Sequence, residues 1–181
     1  MFSKKNKITS DNFGALLFNN LILPSYSGFY NNIGSKEGDI SPFKTSVTKD
    51  DVIELELLFV YVWLVNHFLN VAGEKYQKVA NALNHIFFQY YKDNIPSAKL
   101  APLNGDGFFN LLILKCMKYK DTFMSDNKNM NFGKVAMIAS SYVLASDKPN
   151  LDIFFNFKLG TSLQQSAIAL AKVLKKIELV D

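Results

Sequence analysis

Residues 52–69 read VIELELLFVYVWLVNHFL, and no other stretch of this chain restricts the fold as much. Lipid, a sheet or a protein interior can each take such a segment. Its uninterrupted apolar run extends only from Leu57 to Val65, about 13 Å of helix against a hydrocarbon slab of about 30 Å. Glu54 and Glu56 precede the run and Asn66 and His67 follow it, so no membrane span is expected. Strand character is real: Val60-Tyr61-Val62-Trp63 favours extended backbone, and the two glutamates alternate with Ile53, Leu55 and Leu57. Yet the segment continues from a capping signal at Thr48 and Asp51 to Gly73 with no turn residue inside. Strands rarely exceed roughly ten residues. A helix that is apolar all round is one buried on all sides, so the pattern predicts a central helix over about 49–72.

The neighbouring segments carry helix signals of their own. Thr9 or Ser10 can cap a helix over about 11–23 that Pro24 ends. Over about 74–92, Tyr76, Val79, Ala80, Leu83, Ile86, Phe87 and Tyr90 recur at three- and four-residue steps, which makes an amphipathic stripe. A linker at about 97–107 holds the turn signal Asn104-Gly105, and Asp106 can cap the helix FFNLLILKCMKYKDTFM. FGKVAMIASSYVLAS forms another, ending before Pro149, and Thr161 with Gln164 makes a capping box that opens a last helix over about 162–179. The segment 151–159 alternates with a period of two and is a possible lone short strand. A strand without a ladder partner is unsatisfied, so a short buried helix is favoured there. The fold class expected is all-α: residues 1–181 as a single-domain bundle of about six helices, with a long irregular connection at about 24–49.

Composition narrows the setting. A chain of 181 residues, 49% apolar and 20% charged, can bury a core without disulfides or metals. The single cysteine, Cys116, has no internal disulfide partner and sits among apolar neighbours, which reads as a buried thiol in a reducing, cytoplasmic compartment. The first residues, MFSKKNKITSDNFGALLFNNLIL, are basic at the start, but Asp11, Asn12, Asn19 and Asn20 break up the apolar part, so no secretion signal is expected. All twenty basic residues are lysine. No guanidinium is available to grip guanine edges, carboxylates or phosphates bidentately, and a net charge of +4 gives no case for a nucleic-acid partner.

No catalytic set emerges. His67 and His85 belong to no His-x-x-x-His or Glu-x-x-His pair, so neither a metal nor a cofactor is expected. Glu54 and Glu56, two apart, point about 160° apart on a helix and cannot share a site. Ser41-Pro-Phe-Lys44 with Ser125-Asp126-Asn127 matches two motifs of serine acyl-enzymes, but the required Lys-Thr-Gly strand is missing. Lys115, Lys118 and Lys120 read as a solvated helix end. The connection at 24–49 is longer than a compact domain normally carries. It sets Tyr26, Phe29, Tyr30 and Phe43 among flexible Gly, Ser and Asn, a composition suited to gripping a partner. Three functions follow in order. The first is a non-enzymatic protein-protein interaction domain, binding a protein partner or itself through those four aromatics. The alternative is a carrier of an apolar small molecule within the bundle, given the 14% aromatic content. The third is an enzyme with an unrecognised site.

Overall fold

Helix α3 (Asp50–Ala72) runs through the middle of the molecule. The computed structural model describes residues 5–34, 50–95, 98, 103–123, 131–143 and 153–181. Every α3 residue from Glu56 to Asn66 is buried. The ring of neighbours consists of α2 (Leu23–Gly34), α4 (Gln77–Asn94), α5 (Gly105–Phe123), α6 (Phe132–Val143) and α7 (Ile153–Leu174), each of which packs on α3. This is the all-α bundle expected from an apolar central rod. α3 is also the one described helix long and apolar enough to cross a membrane, but most of that stretch is enclosed by protein. Gly73 ends it at φ +115°, a conformation that costs a side chain but not glycine. One 3₁₀ turn (Glu74–Tyr76) then reverses the chain into α4.

The first rod departs from expectation. α1 (Ser10–Leu17) is capped by Thr9, whose Oγ1 accepts from the Asn12 N–H. Pro24 does not end the rod. A π turn at Phe18–Ile22 carries the helix into α2, and the Leu23 N–H donates to the Phe18 carbonyl. Proline clashes with the carbonyl four residues back and brings no N–H of its own; the widened turn just before it relieves both problems. Residues 24–34 are therefore helical rather than the start of an irregular connection. The rest of that connection, with Thr48, lies outside the described residues.

The end of the chain needs the second correction. Residues 153–159 are neither a strand nor a separate short helix but the opening turns of α7. Phe155 and Leu159, four apart, are buried, while Phe157 stands 72% exposed. Alternation of apolar side chains in so short a stretch fits either period. Thr161 and Gln164 consequently sit inside the helix and cap nothing. α7 stops at Leu174, and Ile177–Leu179 forms a strand β2 that pairs in parallel with β1 (Asn6–Ile8), Asn6 opposite Ile177 and Ile8 opposite Leu179. α6 and α7 approach closely at two glycines: a Cβ on Gly160 would lie 3.4 Å from the Gly133 backbone. At the start of α5 the cap is Asn104, whose Oδ1 accepts from the Gly107 N–H at 2.7 Å, rather than Asp106.

Candidate functional site

Of the four aromatics expected to meet a partner, the three that are described lie on α2 and pack toward the bundle. Tyr26 and Phe29 are buried on α2, 8% and 6% exposed, and Phe29 meets the Phe155 ring edge-on at 5.5 Å. Tyr30 is half-buried, its ring 5.8 Å from that of Tyr26. Burial, with the Glu54 charge nearby, pushes the Tyr26 hydroxyl well above its ordinary range. Phe43 lies outside the described residues. Among these, three- and four-residue spacing on a helix explains the aromatics as core.

A different constellation emerges where α3, α4 and α5 meet. Along α3, Trp63, Asn66, His67 and Asn70 share one face; α4 adds Gln77, Ala80 and Asn84; α5 adds Phe109, Leu112, Ile113, Cys116, Met117 and Lys120. Each set recurs at three- and four-residue steps, so three helical faces converge on a cavity of about 300 Å³. The Asn66 Nδ2 donates to Asn84 Oδ1 at 2.7 Å, tying α3 to α4. Among the described residues that bond leaves the Asn66 Oδ1 without a partner, and the Trp63 Nε1 has none either. Both side chains are deeply buried, Trp63 1% and Asn66 8% exposed. A buried polar group left unpaired costs on the order of 1–3 kcal/mol, so two of them in one cavity call for an explanation.

Aromatic rings fix the indole in place. Its plane stacks on His67 at 5.7 Å and meets Phe123 edge-on at 5.4 Å, with Tyr119 tilted against it at 5.5 Å. Burial, reinforced by the Lys120 charge, holds the His67 imidazole below its ordinary pKa, so it is neutral at pH 7. Cys116, expected to be buried, is half-buried at the cavity wall, and that burial pushes its thiol up to about 12. It is a poor nucleophile there. His85 sits on the exposed side of α4 against Phe109, 5.2 Å away, and does not enter the cavity.

Behind the indole lies a buried ion pair. Lys115 reaches the Glu56 carboxylate at 2.5 Å and passes 3.3 Å from the Tyr142 ring centre, while the Tyr119 hydroxyl donates to the other Glu56 oxygen. Lys115 is thus not the solvated lysine its position near a helix end implied. Burial pushes Glu56 up, opposed by the lowering pull of Lys115 and the Tyr119 hydrogen bond. Glu54 points elsewhere and accepts from the Tyr90 hydroxyl at 3.2 Å, as the geometry of two residues two apart requires.

A larger groove of about 600 Å³ runs between α2 and α7, past Ser25, Phe29, Ser162 and Ser166. Its hydroxyls satisfy one another and their surroundings: Ser166 donates to Ser25 at 3.0 Å, and Tyr61 and Ser162 share a 2.6 Å bond. Among the described residues no buried side-chain polar atom along it is left unpaired, unlike in the smaller cavity. Among the described residues, no three His, Cys, Asp or Glu side chains gather as a metal site.

No protein-family model matches the chain, and no curated protein or solved structure is significantly similar to it. The site must be read from its own chemistry.

The sequence held one signal for this cavity that composition and motif reading passed over. Asn66, His67 and Asn70 follow Trp63 at helical spacing and break the apolar face of the most buried helix. A core helix spends polar groups on that face only where something answers them.

Proposed function

We propose that this chain is a non-enzymatic binding domain and that its ligand is a small molecule held between α3, α4 and α5. One observation carries the reading: Trp63 and Asn66, each with a buried polar atom that has no partner among the described residues, both line the same cavity. The volume falls at the small end of ligand sites, and apolar walls with a few fixed polar groups are the usual composition of such sites. Acid–base chemistry has little support here, because among the described residues no carboxylate lines the cavity to orient or assist its one histidine.

The chain has one tryptophan, so its fluorescence reports on the cavity alone. Titrating a library of uncharged fragments should give saturable changes in Trp63 emission with matching rises in unfolding temperature. A protein whose emission and melting respond to no fragment does not use this cavity.

A protein-protein interaction role is the second reading. It is supported by apolar side chains left exposed on the bundle, Leu114 at 64% and Val71 at 71%. Tyr26 and Phe29 do not support it. Sedimentation of the wild type against Leu114→Glu separates the two cases: self-association abolished by the charge favours an interaction surface on α5.

A further inference from the structure

Charge is spread unevenly around the bundle. α2, α6 and α7 hold no Asp or Glu, nor does the π turn before α2, and their charged side chains are Lys134, Lys158 and Lys172. The carboxylates of the described helices sit instead on α1, α3, α4 and α5, from Asp11 to Asp121. The acid-free helices are neighbours, since α7 packs on both α2 and α6. Lys175 and Lys176, both exposed, continue the lysines past the end of α7, and the first carboxylate after it is Glu178.

The outward face of α7 adds apolar groups to this pattern. Phe157, Thr161, Gln164, Gln165, Ile168 and Lys172 recur at three- and four-residue steps, a ridge of about 22 Å. Phe157 is 72% and Ile168 50% exposed, with Lys158 and Lys172 exposed on the same helix. A groove runs along each flank of the ridge, one shared with α2 and one with α6, and Phe157 and Thr161 border both. A solvated helix face ordinarily mixes charges of both signs, whereas lysine set beside exposed apolar groups is the composition of a surface that meets lipid headgroups. We infer that α7, with α2 and α6 beside it, docks flat on an anionic membrane surface without crossing it. The inference stands apart from the cavity between α3, α4 and α5. The lysines at 158, 172, 175 and 176 meet the negative headgroups, while Phe157 and Ile168 leave water for the interfacial layer. A nucleic-acid backbone matches the charge but gives Ile168 nothing apolar to enter, and the chain has no arginine to grip phosphates bidentately.

Flotation of the full chain with lipid vesicles tests this. Phosphatidylcholine vesicles with about one-third phosphatidylserine should bind it at least about tenfold more tightly than phosphatidylcholine alone, and less so as salt rises. Lys172→Gln with Lys175→Gln should weaken that binding by about fivefold per lysine. Lys92→Gln with Lys118→Gln removes the same charge from α4 and α5 and should leave binding nearly unchanged. Phe157→Ser should weaken binding to the anionic vesicles at every salt concentration. Every substituted position is exposed, so the variants should fold, and thermal melts verify it. The inference is overturned by equal binding to both kinds of vesicle or by binding to neither. An equal loss from the two lysine pairs, or a Phe157→Ser protein that binds like the wild type, overturns it as well. So does tighter binding to duplex DNA or polyglutamate than to the anionic vesicles.

Discussion

Asp181 and Ser10 join positions 171 residues apart at the start of a helix. The Asp181 Oδ1 accepts from the Ser10 backbone N–H at 3.0 Å and from its hydroxyl at 2.9 Å. The carboxylate thus meets the positive end of α1, where otherwise unpaired N–H groups gather. The β1–β2 pair brings it there. Those hydrogen bonds hold the Asp181 carboxyl below its ordinary value, with a smaller contribution from the Lys78 charge.

A carboxyl whose pKa is lowered by folding stabilises the fold above its unfolded value and loses that contribution as pH falls through the folded one. Asp181→Asn should therefore lower the unfolding temperature at pH 7 and make little difference near pH 2. Thermal melts of both proteins across that range measure it. A deficit that is the same at both pH values would show that the carboxylate charge plays no part.

Lys115→Met should destabilise by about 3–5 kcal/mol, because it strands Glu56 in a buried site without its counter-charge. The loss has a pH signature. Glu56 is already raised by burial, and a raised carboxyl favours folding fully below its unfolded pKa and less as pH climbs through the folded one. Removing Lys115 raises it further, so urea titrations should find a larger deficit at pH 8 than at pH 5. Adding Glu56→Gln should recover much of the stability at pH 8. A deficit independent of pH would assign the loss to packing over Tyr142 instead.

Two glycines on the first rod should answer alanine with opposite signs. A Cβ on Gly14 would stand 2.9 Å from the Ala82 Cβ and 3.0 Å from the Leu83 backbone nitrogen, and neither can swing aside. Overpacking of about 1–3 kcal/mol exceeds the helix-propensity gain, so Gly14→Ala is expected to destabilise. Gly28 is exposed with nothing within 4 Å, and Gly28→Ala should stabilise by about 0.5–1 kcal/mol. Chemical denaturation reads both.

Phe29→Ala should cost about 3–5 kcal/mol, the amount typical of an emptied aromatic site. A partner-gripping aromatic would behave otherwise, leaving the melting temperature unmoved. Equilibrium unfolding discriminates between the two directly.

Cys116, raised to about 12, should react with iodoacetamide at pH 8 at least about tenfold more slowly in the native protein than in concentrated urea. Equal rates, followed by mass spectrometry, would place the thiol in solvent.

The central rod was legible in the sequence because its apolar run, flanking polar residues and terminal glycine all point one way. The stripe of α4 was legible because its apolar residues recur at three- and four-residue steps. Misreadings fell where local and tertiary signals compete. Pro24 is a helix breaker by local rule, and only the π turn before it, a tertiary accommodation, keeps the helix going. Residues 153–159 are too short a window to separate a period of two from one of 3.6. β1 and β2 are three residues each and gain their ladder only from each other across the whole chain, so neither carries a local signature. The Trp63 cavity was half visible: residue spacing shows which side chains share a face, but not which of their hydrogen bonds remain unmade.

The π turn at Phe18–Ile22 has an effect beyond tolerating Pro24. One extra residue in a turn rotates everything after it by roughly 100° about the helix axis. That rotation lets a single rod serve two neighbours: α1 packs on α4, while α2 packs on α3 and α7. Removing one residue between 18 and 22 would straighten the rod and swing Tyr26 and Phe29 away from the interior. The wide turn is thus the gear that re-aims the first rod partway along its length.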